Sequence, residues 1–353
     1  MDKPMKFALL PLWIIQLFTQ AKSFKNNRVI GSTWLNKCGL HVARVVLAHA
    51  IMRLRFTLLG FRVEKSLRKA YYRDGFMVIR NALPEDQFLQ IKQEVSAVDA
   101  EVRECHQGDT LTHRILIDDN AGEQLPTVQS LLNSKRYLAL HKFAAGKNTR
   151  PVSYIQTIKN HFTDGSADPQ KNLHSDTFHP TMKSWFFLDD CDERNGPFTY
   201  LPGSNQLSWA RLKWEYRKSI SICEQGDRYS SNGSFRATQI DLASMQFGKP
   251  VGLSVPANTL VIANTHGFHR RGDASDRSTR TEIWSISRSN PFNPFPGVDV
   301  PAFTRLQNRA LTLYREYCDR KAAKSGAQSS WHVVAARNTL EDDATETRQT
   351  EAA

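Results

Sequence analysis

His174-Ser175-Asp176 is the tripeptide on which the reading of this chain turns. On an extended segment, residues two apart point to the same face, so an imidazole and a carboxylate share one ligand-bearing side. Two such groups can hold one edge of a metal ion. A third ligand from a distant strand would complete a facial set of two histidines and one carboxylate, with the remaining coordination positions open. The tripeptide is common in solvent-facing turns, so the rest of the chain has to supply the third ligand and its setting.

On either side the sequence is strand-like. MKSWFFLDD (182–190) alternates Lys183, Trp185 and Phe187 with Ser184, Phe186 and Leu188. SYIQTIK (153–159) is rich in residues that suit a pleated surface, and a polar loop with Gly165 and Pro169 follows it. LTHRILI (111–117) and FMVIR (76–80) read as further strands, as do residues 258–263 and 281–286. Asn195-Gly196-Pro197 marks a turn before Phe198-Thr199-Tyr200-Leu201. Helices are expected over 65–73, from Leu83-Pro84-Glu85-Asp86 onward, over 125–141 and over 303–318. Short strands joined by turns predict a mainly β protein with flanking helices, its core a double-stranded β-helix of the jelly-roll or cupin-like type. That domain is expected over 65–330, with an insertion around 205–250 where no period is clean. Residues 331–353 read as a polar, flexible tail.

Two histidines follow the 258–263 strand. His266 and His269 each precede an arginine by eleven residues, Arg277 and Arg280 respectively. Arg280 opens the next extended run, whereas Arg277 sits in the polar turn DASDRS, which favours the pair His269 and Arg280. The chemistry of the set is coherent. Imidazole, carboxylate and imidazole suit Fe(II). A 2-oxo acid chelates such a metal through its keto oxygen and C1 carboxylate, and its far carboxylate calls for a bidentate arginine. His179 is read as a solvent-facing or substrate residue. A zinc site of His161, His174 and His266 would leave Arg280 without a role.

Charge is distributed unevenly. The net charge is +12, and residues 1–80 carry all of that excess, with acidic residues only at Asp2, Glu64 and Asp74. A basic, apolar arm in front of a neutral body points to an anionic surface and away from nucleic acid. FALLPLWIIQLF (7–18) is too short to span a bilayer, contains Pro11 and is followed by no convincing cleavage site. GLHVARVVLAHAIMRLRFTLLGFR (39–62) has helical composition, with six basic residues among apolar ones. Residues 1–64 are therefore expected to be a membrane-associating helical arm lying on the surface; helices packed on the body would show the same leucines. The five cysteines are scattered without a CxxC, which fits reduced thiols and no structural zinc.

His174-Ser175-Asp176, Trp185, Asn195-Gly196, Leu201-Pro202-Gly203-Ser204 and the pair His269/Arg280 together resemble the phytanoyl-CoA dioxygenase superfamily of Fe(II)/2-oxoglutarate oxygenases over roughly residues 70–290. The resemblance implies a non-haem dioxygenase using Fe(II), 2-oxoglutarate as cosubstrate and O2. It implies iron ligation by His174, Asp176 and His269, a clamp from Arg280 on the cosubstrate's distal carboxylate, Trp185 lining the cosubstrate pocket, and Gln156 as a further contact. The presence of Asp176 disfavours the related halogenases, which lose the carboxylate.

LFTQAKSFKNNRVIGSTWLNKCGLHVARVVLAH (17–49) resembles the opening of the bacterial Kdo 3-hydroxylases, which act on the outer Kdo sugar of Kdo2-lipid A. This implies modification of the lipopolysaccharide inner core, an anionic glycolipid substrate, and a peripheral position on the cytoplasmic side of the bacterial inner membrane. Candidate substrate residues are Arg270, Arg271, Lys159, His161 and Arg288. Two other readings are a hydroxylase of a different lipid or small molecule and a non-catalytic peripheral membrane-binding module.

Overall fold

The computed structural model describes residues 9–163 and 165–336. Eleven strands are present among them: β1 (Phe76–Ile79), β2 (Glu101–Gln107), β3 (Thr110–Leu116), β4 (Val152–Asn160), β5 (Met182–Phe187), β6 (Phe198–Tyr200), β7 (Val251–Gly252), β8 (Thr259–Asn264), β9 (His269–Arg271), β10 (Ser278–Ser287) and β11 (His332–Ala336). They form an eight-stranded sheet in the order β1-β8-β5-β10-β4-β3-β2-β11 and a three-stranded sheet in the order β7-β6-β9. Strands paired in space are far apart in sequence, as β10 is with β5 and β4, and the pairings are antiparallel. This is the jelly-roll architecture expected from the short strands.

The alternation along each strand separates two environments. Phe186, Ile155, Ile262 and Ile283 point outward, into a core shared with Leu140 and Phe143 of the Lys135–Ala145 helix. Their neighbours Trp185, Tyr154, Val261 and Trp284 point inward, between the sheets, with Phe198 and Tyr200 of β6. Burying such side chains is worth roughly 1.5–3 kcal/mol each, and this fixes the register: a slip of one residue would exchange the two faces. Gly267 is required where the loop before β9 passes β6, because a Cβ there would meet the Tyr200 hydroxyl at 1.8 Å.

Several expectations need correction. The described part of the amino-terminal arm, residues 9–64, packs on the body. The Leu40–Leu59 helix puts Met52 and Phe56 into the main core and buries Arg44 and Arg55, whose guanidinium groups donate to backbone carbonyls of residues 17, 19 and 21 and of residues 146, 290 and 293. The 205–250 excursion is helical over Trp209–Gln225 and packs on the arm, where His41 meets the buried Arg211–Glu215 pair. The helix expected over 125–141 is two helices, broken at Ser134, which caps the second. The 331–353 tail begins as strand β11, which pairs with β2; residues 337–353 lie outside the described residues. β2 itself, EVRECHQ, is too polar to read as a strand and gains its place only by lying between β3 and β11.

Candidate metal centre and catalytic pocket

His174 and His269 are tied by a reciprocal pair of backbone hydrogen bonds, each N–H donating to the other's carbonyl at 2.9 Å. The narrow pairing sets their rings 4.5 Å apart. Asp176 lies two residues along the same extended segment, held by its N–H to Thr265 O at 2.9 Å. Its Oδ1 stands 3.8 Å from His174 Nε2 and 3.7 Å from His269 Nε2. One ligand atom from each of the three lies within 4.8 Å of the others.

Hydrogen bonding fixes which nitrogen faces the site. His174 Nδ1 donates to Asn172 O at 2.7 Å and His269 Nδ1 to Gly267 O at 2.9 Å, so both Nε2 lone pairs converge on Asp176. Burial pushes the His269 imidazole down to about 4. Burial, the neighbouring His269 and Arg236 put His174 well below its usual range. Burial alone would raise Asp176, but Lys183, His269 and His174 outweigh it and hold the carboxyl well below its ordinary value. Two neutral imidazoles and one carboxylate are thus ready for a cation. His269 Nε2 is buried without a hydrogen-bond partner, an arrangement that costs about 1–3 kcal/mol unless something fills it. A divalent metal fits that donor set.

Two lysines hold Asp176, one at its carboxylate and one at its backbone carbonyl. Lys183 Nζ, projecting inward from β5, is 2.7 Å from Asp176 Oδ2. Lys22, from the amino-terminal arm, donates to the Asp176 carbonyl at 2.5 Å. Ser175 N–H donates to Phe235 O, so arm and insertion both brace the tripeptide.

The triad opens onto a cavity of about 550 Å³. Arg280, Trp185 and Gln156 line it, as do Arg270, Arg271 and Arg288. Arg280 is aimed by its neighbours: Nη1 donates to the carbonyls of Asn195, at 2.7 Å, and Gly196, and Nε lies 3.3 Å from Glu282. Gln156 Nε2 donates to the other oxygen of that Glu282 at 2.6 Å. The tight Asn195-Gly196 turn is thereby part of the arginine's support. Trp185 stacks near Phe198, with centroids 4.1 Å apart.

Of the candidate substrate residues, Lys159 and His161 are placed away from the cavity. Lys159 is buried on the opposite face of β4 from Ile158 and Arg280, its ammonium 5.4 Å from the Phe162 ring centroid, so it does not line the cavity. His161, at φ 57°, clamps a loop through Ala274 O and Asp109, again away from the cavity. Arg271 is ion-paired to Asp168 at 2.5 Å and Arg270 to Asp273 at 2.8 Å, while Arg288 is exposed at the mouth. The rival His266 faces His49 with ring centroids 4.4 Å apart, and Arg277 lies over Phe162. His179 is buried and donates to Pro180 O, so it is not solvent-facing.

The sequence reading missed three cavity cations: Lys183, Lys147 and Arg114. Arg114 lies 3.9 Å from the Trp284 ring centroid and 4.4 Å from that of Trp331, its Nε donating to Gln156 Oε1; burial pushes its guanidinium down to about 10. For Lys183 and Arg114 the available signal was a basic residue at an inward position of a strand; Lys147, in the loop before β4, offered none.

Residues 71–237 match the family model described as phytanoyl-CoA dioxygenase, PhyH. No curated protein matches the chain. Among solved structures it is similar to the non-haem α-ketoglutarate-dependent epimerase SnoN from nogalamycin biosynthesis, at 18% identity and TM-score 0.44 over 63% of this chain and 81% of that one. It is also similar to HygX from Streptomyces hygroscopicus with nickel and 2-oxoglutarate bound, at 15% and 0.42 over 64% and 86%. EctD from S. alaskensis with bound Fe matches at 16% and 0.39 over 64% and 76%. The family match contains His174 and Asp176 and stops short of His269 and Arg280, which the fold brings to them. Residues 71–237 thus match the phytanoyl-CoA dioxygenase family model, and His174, Asp176 and His269 form a cluster that could hold a metal ion.

Proposed function

We propose that this chain is a non-haem Fe(II)/2-oxoglutarate-dependent dioxygenase that hydroxylates the outer Kdo sugar of Kdo2-lipid A at its 3-position, working on the cytoplasmic face of the bacterial inner membrane. One observation carries the anionic part of this reading. The cavity wall includes seven basic residues (Lys147, Lys183, Arg114, Arg270, Arg271, Arg280 and Arg288) and no Asp or Glu among its lining residues. Lys183, Arg270, Arg271 and Arg280 are paired with Asp176, Asp273, Asp168 and Glu282, so beyond the 2-oxoglutarate carboxylate that Arg280 would take, the charge facing a substrate is chiefly that of Lys147, Arg114 and Arg288. A substrate that brings its own carboxylate beside phosphorylated lipid would use the rest. The sugar's identity comes from the resemblance of residues 17–49 to Kdo 3-hydroxylases.

Fe(II) would be held by His174, Asp176 and His269; with 2-oxoglutarate and O2 it supplies the oxidising power for insertion of one oxygen into a C–H bond. The chain's own residues supply position. Arg280, preset by the Asn195 and Gly196 carbonyls, would take the distal carboxylate of 2-oxoglutarate. Trp185 and Phe198 would wall the cosubstrate from water. Arg114, whose Cζ lies 3.9 Å from the Trp284 centroid and 4.4 Å from that of Trp331, and the exposed Arg288 would be available to a sugar acid.

The test is anaerobic incubation with Fe(II), 2-oxoglutarate and Kdo2-lipid A, followed by admission of oxygen and mass spectrometry of the lipid. A gain of one oxygen with equivalent succinate is expected. Unmodified lipid from an enzyme that still releases succinate would overturn the substrate and leave the reaction class.

A further inference from the structure

Strand β11 begins one residue after an indole that belongs to the catalytic cavity. Trp331 lines the cavity wall, as does Gln307 of the Pro301–Lys324 helix, so the C-terminal segment contributes to the site from two places. Apolar burial does not explain its position, because the helix buries none of its residues. Charge fixes it. Arg103, buried on β2, donates from Nη1 to Asp319 of the helix at 2.8 Å and to the Trp331 carbonyl at 3.0 Å, while its Nε donates to Glu101 at 2.6 Å. Pairing of β11 with β2 from His332 onward holds the other side of that residue. The backbone of Trp331 is therefore pinned, and its indole with it.

The indole meets Arg114. That residue occupies an inward position of β3, opposite Gln156 of β4. Its guanidinium carbon lies 3.9 Å from the Trp284 ring centroid, 4.4 Å from that of Trp331 and 5.5 Å from that of Tyr154, and aromatic faces attract a guanidinium. Nε donates to Gln156 Oε1 at 2.7 Å, and neither terminal nitrogen has an acceptor among the described residues. The other inward arginines of the cavity differ: Arg280, Arg271 and Arg270 have Glu282, Asp168 and Asp273 beside them. Arg114 has no carboxylate in ion-pair range among the described residues, and burial, with Arg315 and Arg271 nearby, pushes it down to about 10. A desolvated cation without a counter-ion is unfavourable, and an incoming anion removes that cost. Two free Nη groups in one plane match the two oxygens of a carboxylate.

We propose that Arg114 is a second carboxylate fork of this pocket, taking the substrate's own acid group, and that Trp331 makes the C-terminal segment a positioning part of that fork. The proposal rests on the reading of the pocket as that of a hydroxylase of an acidic substrate and extends it. Cosubstrate and substrate are read by separate arginines, and the residue leading into β11 belongs to the second. One bridge ties the two readers. Gln156, which accepts from Arg114, donates through Nε2 to Glu282 Oε1 at 2.6 Å, and Arg280 Nε donates to Glu282 Oε2 at 3.3 Å. This pattern admits one orientation of the Gln156 amide, because its oxygen must face a donor and its nitrogen an acceptor. β3, β4 and β10, which carry the two arginines and the bridge, are adjacent in the sheet. Arg103 and Asp319 thus support a wall of the pocket from outside it.

The experiment is anaerobic calorimetric titration of the full-length protein loaded with Fe(II) and 2-oxoglutarate, using Kdo, glucuronate and the methyl ester of each. At least one free acid should bind saturably, with its ester about 10- to 100-fold weaker. Arg114→Gln should remove that preference and leave the affinity for 2-oxoglutarate unchanged. Trp331→Ala should weaken the acid about tenfold and leave its ester alone, and Trp331→Phe should restore it. The double variant should be no weaker than Arg114→Gln, since the indole acts through the guanidinium. Retention of the Fe(II)–2-oxoglutarate absorption band checks that each variant is folded. No binding by either acid, or esters that bind as well as acids, would overturn the proposal. So would loss of 2-oxoglutarate in place of the acid, additive effects of the two substitutions, or displacement of the acid by equimolar phosphate. Kdo2-lipid A hydroxylated by both variants with unchanged KM would remove the fork and leave the proposed activity. Selection of glucuronate over its ester, without the same for Kdo, would leave the fork and remove the sugar.

Discussion

Acidification should destabilise this protein well before its carboxylates titrate. Three histidines away from the metal ligands are neutral, His141 and His179 buried and His49 half-buried: His141 is pushed down to about 4, and His49 and His179 to about 3, in each case chiefly by desolvation. In the unfolded chain each ring takes a proton near 6.5. Their folded values are depressed, so the unfolded state binds protons first, and the stability they permit is complete above pH 6.5 and falls as the pH drops toward 4. At pH 5 the linkage is about 2 kcal/mol for each ring and about 6 kcal/mol for the three. Against a typical total of 5–15 kcal/mol, that is a large fraction. Urea denaturation of the Fe(II)-loaded protein, followed by tryptophan fluorescence at pH 8, 6.5 and 5, measures it. The midpoint should change little from 8 to 6.5 and fall steeply to 5. A midpoint as high at pH 5 as at pH 8 would refute the burial of these rings in neutral form. Replacing His141, which bridges Tyr137 O and Ser184 Oγ, by Gln should remove about one third of the slope.

Asp176→Ala should abolish both succinate release and hydroxylation and lose Fe(II) binding, measured by anaerobic titration; retained turnover would remove this residue from the metal site. Arg280→Lys should raise the KM for 2-oxoglutarate by about 10- to 100-fold, because a point charge replaces a preset fork, whereas Arg277→Gln should leave it unchanged. Lys183→Met leaves one Asp176 oxygen without its cation and should weaken Fe(II) binding by about 10- to 100-fold, with partial recovery in Lys183→Arg, read by the same titration. Arg288→Gln should raise the KM for the glycolipid and spare that for 2-oxoglutarate, whereas His161→Gln should move neither.

The centre of the fold was legible because its residues obey a short-range rule. Trp185 and Phe187 alternate with Phe186 as a two-faced strand must, and the eleven-residue step to Arg280 spans the β9–β10 turn. What could not be read has physical reasons. EVRECHQ carries strand hydrogen bonds with scarcely any strand composition, because its edges are covered by β3 and β11. The arm's apolar residues announced a helix but not its orientation: leucines lie on every side of it, and the decision belongs to Arg44 and Arg55, whose carbonyl partners come from distant segments. Lys159 and His161 looked like substrate residues because they end a strand near the site. The register of β4 sends Lys159 to the far face, and a positive φ carries His161 into a loop clamp.

The bracing of the metal-ligand tripeptide has a consequence for biosynthesis. Its supports include Lys22, Lys183, Phe235, Thr265 and His269, so they span most of the chain. Closing loops of that length is entropically slow and yields little until the last partner arrives. A nascent chain emerging from the ribosome therefore carries two ligands on an unsupported segment until the polypeptide has passed residue 269. Metal binding by the full set would then have to follow synthesis of residue 269, and a chain terminated between residues 176 and 269 would lack the third ligand.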